Sequence, residues 1–115
     1  MTITPDTFEA RLAQLRALAE PTRLRIVRLL CLAELTVTEL TVATGQSQPS
    51  VSRHLRVLQE ASLVVRHAEG SWAFYRATLP PALDAATRDL DGAQVAADDA
   101  RLVQLREAQA TEAAR

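Results

Sequence analysis

The sequence predicts a mostly α-helical chain with a β-hairpin wing, a winged helix-turn-helix that dimerises through its N- and C-terminal helices. Three observations predict it. Apolar residues keep helical spacing from Phe8 to Leu58, two β-rich runs then flank Gly70, and helical spacing resumes after Pro80-Pro81. The chain has 115 residues, 48% hydrophobic and 23% charged, which fits one domain able to bury a core. Domains of this size bury a modest share of their unfolded surface, so dimerisation is a natural supplement.

Each element has a local cause. Phe8, Leu12, Leu15 and Ala19 fall on one face of a first helix. Glu20-Pro21 ends it, because a residue before proline disfavours the helical region, and Pro21 suits the first position of the next helix. That helix carries Leu24, Val27 and Leu30-Cys31 on its inner face, with Arg23, Arg25 and Arg28 on others. Thr36-Val37-Thr38-Glu39 is a capping box, Leu40 and Ala43 continue the apolar face, and Gly45 supplies the left-handed stop. Ser47 caps a further helix, with Pro49 in its first turn and Val51, Leu55 and Leu58 inside. Two helices joined by a short glycine-containing turn form a helix-turn-helix.

Leu63–His67 and Trp72–Arg76 are β-branched and aromatic, and Glu69-Gly70-Ser71 turns between them. Trp72, Phe74 and Tyr75 are expected in the hairpin core. Leu83, Ala86-Thr87 and Leu90 return to helical spacing, Gly92 interrupts it, and an alanine-rich helix runs from about Val95 to Ala114. The organisation is a winged-helix DNA-binding and dimerisation domain over 1–92 and a helical extension over 93–115. The stripes Phe8, Leu12, Leu15 and Leu83, Ala86, Leu90 are surplus to so small a core, and are expected to meet across a two-fold axis.

Charge is uneven along the chain. Residues 1–50 carry five Arg and five acids, residues 51–80 four Arg against two acids, and residues 81–115 four Arg against seven acids. A basic middle beside an acidic tail suits an anionic partner docking on the middle. No apolar run approaches the roughly 18–20 residues of a membrane span, and the first residues lack a cationic start with an apolar stretch, so a cytoplasmic protein is expected. One cysteine, Cys31, excludes an internal disulfide and any zinc motif needing two cysteines. No nucleophile–base motif or glycine-rich phosphate loop suggests an enzyme.

On the helix after Gly45, Ser47, Gln48, Ser50, Ser52, Arg53 and His54 lie away from the apolar stripe. Hydroxyls and an amide at a helix N-terminus reach base edges while backbone N–H groups meet phosphate. Gln48 suits adenine; Arg53 suits guanine or a phosphate. Arg66, His67 and Ser71 in the wing are candidates for backbone or minor-groove contact with double-stranded operator DNA. A winged helix used only for protein–protein assembly is the alternative, and would show an apolar or acidic face where this one shows Gln, Ser and Arg.

Three blocks carry a resemblance. Leu18-Ala19-Glu20-Pro21-Thr22-Arg23-Leu24-Arg25-Ile26 resembles the opening signature of ArsR/SmtB-type repressors, Ser47 to Leu55 resembles their recognition helix, and Gly70 to Arg76 their second wing strand. The resemblance implies a homodimer that represses transcription until an inducer weakens its hold on operator DNA. Many such proteins bind arsenite or soft metals through paired cysteines in the first helix of the helix-turn-helix. Here Thr36 and Thr38 stand at those positions, and hydroxyls do not bind soft metals. A second family site uses Asp, two His and Glu on the C-terminal helices, whereas residues 81–92 hold Asp84, Asp89 and Asp91 but no histidine.

No metal site or resident cofactor is therefore expected, and the inducer remains unknown. Three sensing modes stay open: Cys31 as a redox switch, Asp89, Asp91, Asp98 and Asp99 around a hard cation, or a small organic effector. The stretch from Asp89 to Leu102 resembles one that joins this repressor domain to a methyltransferase domain in some relatives. That resemblance makes S-adenosylhomocysteine or a similar metabolite a candidate effector.

Overall fold

The computed structural model describes residues 6–114, so the outer bounds of the two expected segments, residues 1–5 and 115, lie outside the described residues. Its order is α1 (Phe8–Leu18), α2 (Pro21–Leu32), α3 (Val37–Thr44), α4 (Gln48–Glu60), β1 (Val64–Glu69), β2 (Trp72–Ala77), α5 (Pro81–Arg88) and α6 (Ala93–Ala113). The winged helix-turn-helix is the observed architecture.

The caps at Thr36, Gly45 and Ser47 sit where the sequence puts them, and α2 adds one that was not read from it. Glu20 caps α2, its carboxylate accepting from the Arg23 N–H at 2.8 Å, with Pro21 following. At α3 the capping box is complete: Thr36 Oγ1 accepts from the Glu39 N–H at 3.1 Å, and Glu39 Oε1 accepts from the Thr36 N–H at 2.9 Å. Gly45 closes α3 at φ 70°, and Ser47 Oγ caps α4 by accepting from the Ser50 N–H. The expected inner stripe of α4, Val51, Leu55 and Leu58, is fully buried with Ile26, Val27, Leu29, Leu35, Leu40 and Leu63 in one core.

β1 and β2 pair antiparallel from Val64↔Ala77 to Glu69↔Trp72, so the turn is Gly70-Ser71, with Gly70 at φ 63°. Leu35 and Tyr75 exchange backbone hydrogen bonds of 3.1 and 2.8 Å, pinning the wing to the loop before α3. Trp72 departs from the expected hairpin core. It is 63% exposed at the turn end of the strand pair, opposite Glu69, while Tyr75 is buried and Phe74 half-buried.

Two helices cover polar side chains, Gln14 on α1 and Arg25 and Arg28 on α2. The inner side of α1 is Gln14, Ala17 and Leu18, with the Gln14 amide donating to the Ala61 carbonyl at 3.4 Å. Its apolar stripe points outward, Phe8 at 69%, Leu12 at 37% and Leu15 at 47% exposure. On α2, Arg25 and Arg28, expected outside, are covered by α6. Asp98 accepts from Arg25 Nε and Nη2 at 2.9 and 2.8 Å, and Asp99 accepts from Arg28 at 2.6 and 3.0 Å. Helix α6 thus lies against the body along α2 and α3. Within α5, Leu83 packs on the core, Thr87 is buried and Ala86 is exposed, and Leu90 lies exposed just beyond its end.

Candidate nucleic-acid interface

The short turn of Gly45 to Ser47 hands the chain from α3 to α4, and the buried Val51–Leu55–Leu58 stripe fixes the rotation of α4 about its axis. That rotation leaves Ser47, Gln48, Ser52 and Arg53 exposed, with Ser50 half-buried behind them. Arg56 joins this face, one helical turn beyond Ser52 and two beyond Gln48. Sequence reasoning passed over it, although the same i, i+4, i+8 spacing would have found it.

His54 is placed differently. Its side chain is 14% exposed and packs toward α2, with Nδ1 3.4 Å from Arg23 Nη1 and 3.7 Å from Glu20 Oε2. Burial pushes the Glu20 carboxyl up, but the backbone N–H groups of Arg23 and Thr22, and the charges of His54 and Arg23, hold it below its usual value. His54 therefore serves the α2–α4 contact rather than the outer face. In the wing, Arg66 and Ser71 are exposed. His67 lies 3.3 Å from Glu34 and 3.7 Å from Glu69, with its ring stacked on Phe74 at 5.7 Å, and its side chain stays 41% exposed beside these carboxylates.

Ion pairing explains how a chain of net charge −1 keeps a basic surface. Asp98 and Asp99 are occupied by Arg25 and Arg28, Asp84 by Arg88, and Glu39 by Arg106. Among the described residues Arg53, Arg56, Arg66 and Arg76 have no acidic partner, and these are all four arginines of residues 51–80. Asp98 and Asp99 of the acidic tail fold back on Arg25 and Arg28 of α2 and leave the arginines of α4 and the wing without an acidic partner.

The sensor candidates are likewise placed. Cys31 is half-buried, its thiol pushed up to about 11 by burial and by donating to Asp84 Oδ1 at 3.5 Å. Asp89 and Asp91 are exposed, and among the described residues no group of three or more His, Cys, Asp or Glu stands together as a metal site. A cleft of about 330 Å³ opens between α3, the wing and α6, walled by Val42, Trp72, Phe74 and Leu105, with Thr36, Thr38, Glu39 and Gln109 at its edge.

The sequence pattern of the family described as bacterial regulatory protein, arsR family, matches residues 20–65, from the α2 cap into β1. Over 62 residues the chain is 48% identical to the arsenical resistance operon repressor of Escherichia coli K12, a match covering 53% of each protein. A solved structure described as a possible transcriptional regulator for arsenical resistance is 40% identical, with 65% of this chain and 75% of that one covered and a TM-score of 0.54. The chain belongs to the ArsR family. HlyU from Vibrio cholerae N16961 is similar in shape, with a TM-score of 0.63 at 30% identity over 69% of this chain and 85% of that one. The chain spans about half the length of the curated ArsR-family relatives it matches first, and α6 lies beyond the residues that carry the family pattern. Among the described residues no helix is long and apolar enough to cross a membrane.

Proposed function

We propose that this ArsR-family chain is a homodimeric, cytoplasmic transcriptional repressor that docks α4 in the major groove of a palindromic operator and the wing on the flanking backbone. One observation carries the reading: the exposed face of α4 holds Gln48, Ser52, Arg53 and Arg56, and its arginines have no acidic partner while Arg25, Arg28, Arg101 and Arg106 are paired with carboxylates within the chain. Unpaired guanidiniums beside an amide and hydroxyls suit phosphate positioning combined with base readout. The exposed Phe8, Leu12 and Leu15 support an isologous dimer, which would set two α4 helices one turn of DNA apart.

The effector in this reading is a small organic molecule. Soft metals would need thiolates, and Thr36, Thr38 and a protonated Cys31 offer none. The cleft beside the wing suits an apolar compound. The polar groups at its edge, Thr36, Thr38, Glu39 and Gln109, keep S-adenosylhomocysteine or a similar metabolite as a candidate.

Selection from a random DNA pool by the wild-type protein supplies the operator probe. Gln48→Ala should then lose about 1–3 kcal/mol on the selected site and little on random duplex. Arg66→Ala should weaken both alike and lower the salt slope by about one per contact. Equal losses for Gln48→Ala on both DNAs would remove base reading from α4.

A further inference from the structure

At the C-terminal end of α3 the last carbonyls have no partner within the helix, and they sit at the negative pole of its dipole. Water or a local cap usually serves them. Here two arginines from other elements do so. Arg25 of α2 donates Nη2 to the Thr44 carbonyl at 2.6 Å, and Arg101 of α6 points Nη1 at the Ala43 carbonyl at 3.4 Å. Arg101 also lies across Gly45, its guanidinium carbon 3.8 Å from where a Cβ would stand. The turn that launches α4 is thus gripped from outside the helix-turn-helix.

One carboxylate organises both arginines. Asp98 of α6 is 1% exposed and among the most deeply buried side chains of the chain. Its Oδ2 accepts from Arg25 Nε, and its Oδ1 accepts from Arg25 Nη2 and from the Gln94 amide at 3.0 Å, with Arg101 Nη1 at 3.5 Å. The Arg25 guanidinium pKa is raised, first by its hydrogen bond to Asp98. A buried charge with this many converging donors is held in one geometry. Arg25 Nη2, shared between Asp98 and the Thr44 carbonyl, carries that geometry directly to the last residue of α3.

We propose that Asp98 is a positioning residue for DNA recognition: through Arg25 and Arg101 it clamps the α3–α4 turn and so fixes the angle at which α4 meets DNA. The proposal rests on the DNA-binding reading above, and it gives α6, outside the family pattern, a defined task. A side chain that only stabilised the fold would change affinity for all DNA together through the folded fraction. A side chain that aims α4 changes operator binding while nonspecific phosphate contacts persist, because those tolerate a few degrees of tilt.

The test uses the full chain well below its melting temperature and the DNA site selected by the wild type. Asp98→Asn keeps shape but removes the charge, and should weaken operator binding about 3- to 30-fold with random-duplex affinity unchanged. Amide exchange at Gly45 and Gln46 should quicken while Leu55 and Leu58 stay protected. Arg101→Gln, at a more exposed position, should fold normally and give a smaller operator loss in the same direction, which keeps the test open if Asp98→Asn unfolds. A wild type that selects no sequence overturns the DNA-binding reading, and this proposal with it. A wild type that selects a site while Arg101→Gln and any folded Asp98→Asn bind it as tightly overturns the clamp alone. So does an equal loss on operator and random DNA.

Discussion

A thiol senses oxidants or soft metals as its thiolate, and Cys31 is held away from that form. Burial among α2 side chains raises its pKa to about 11, the hydrogen bond to Asp84 and the charge of that carboxylate add to the rise, and Arg88 and Arg28 oppose it. The sign for stability follows. The protonated thiol is favoured in the folded chain, so its contribution is complete below the ordinary value of 9.0 and is lost as pH climbs through about 11. Because thiolate is about a hundredfold scarcer than in the unfolded chain at pH 8, alkylation of native protein by iodoacetamide should run about a hundredfold slower than in urea. Arsenite, zinc, cadmium and nickel at micromolar excess should leave operator affinity unchanged, and Cys31→Ser should still repress. Rapid native labelling, or metal-driven release that Cys31→Ser abolishes, would make Cys31 the sensor.

Helix α3 shows which elements a sequence can announce. Both of its ends are written locally: Thr36 and Glu39 lie three residues apart and satisfy each other's backbone, and Gly45 adopts φ 70°. A Cβ at Gly45 would meet the Arg101 guanidinium at an ordinary 3.8 Å, so Gly45→Ala carries a conformational cost and no clash. That cost should be about 1–2 kcal/mol, and Gly45→Asn should lose less because Asn tolerates the left-handed region. Thermal melts would read both, with a drop of several degrees expected for Ala, and equal melting of the two variants would place the cost elsewhere. The α4 stripe and the presence of the hairpin were legible for the same reason, since caps, turns and periodicity act over a few residues. The outer surface of Arg25 and Arg28 was misread because their partners, Asp98 and Asp99, lie 73 and 71 residues away. Periodicity says that a face is polar, and says nothing of what covers it. The covering of His54 was hidden likewise: it reads as a polar residue on the outer side of its helix, and its ring packs toward Glu20 and Arg23, more than thirty residues away in sequence.

At the scale of the molecule, charge and apolar surface are sorted onto different faces. Asp98 and Asp99 cancel Arg25 and Arg28, α4 and the wing retain their arginines, and α1 displays Phe8, Leu12 and Leu15 to the outside. Within the chain α1 already has a core face in Ala17 and Leu18, so the exposed stripe is not needed to hold α1 in place. Adding the half-exposed Leu32 and the exposed Leu90 gives an apolar surface that a stable monomer has little reason to keep. An isologous contact through this stripe would couple assembly to recognition, because two α4 helices on one palindrome share the cost of ordering. Leu12 is the best probe, since its exposure within the chain means that a carboxylate there should cost the monomer little. Leu12→Glu should halve the mass seen by light scattering and weaken operator binding in the same variant, while its circular dichroism stays that of the wild type. A Leu12→Glu protein that remained dimeric and bound operator normally would move the interface off α1, and the search would pass to the exposed side of α5 around Ala86 and Leu90.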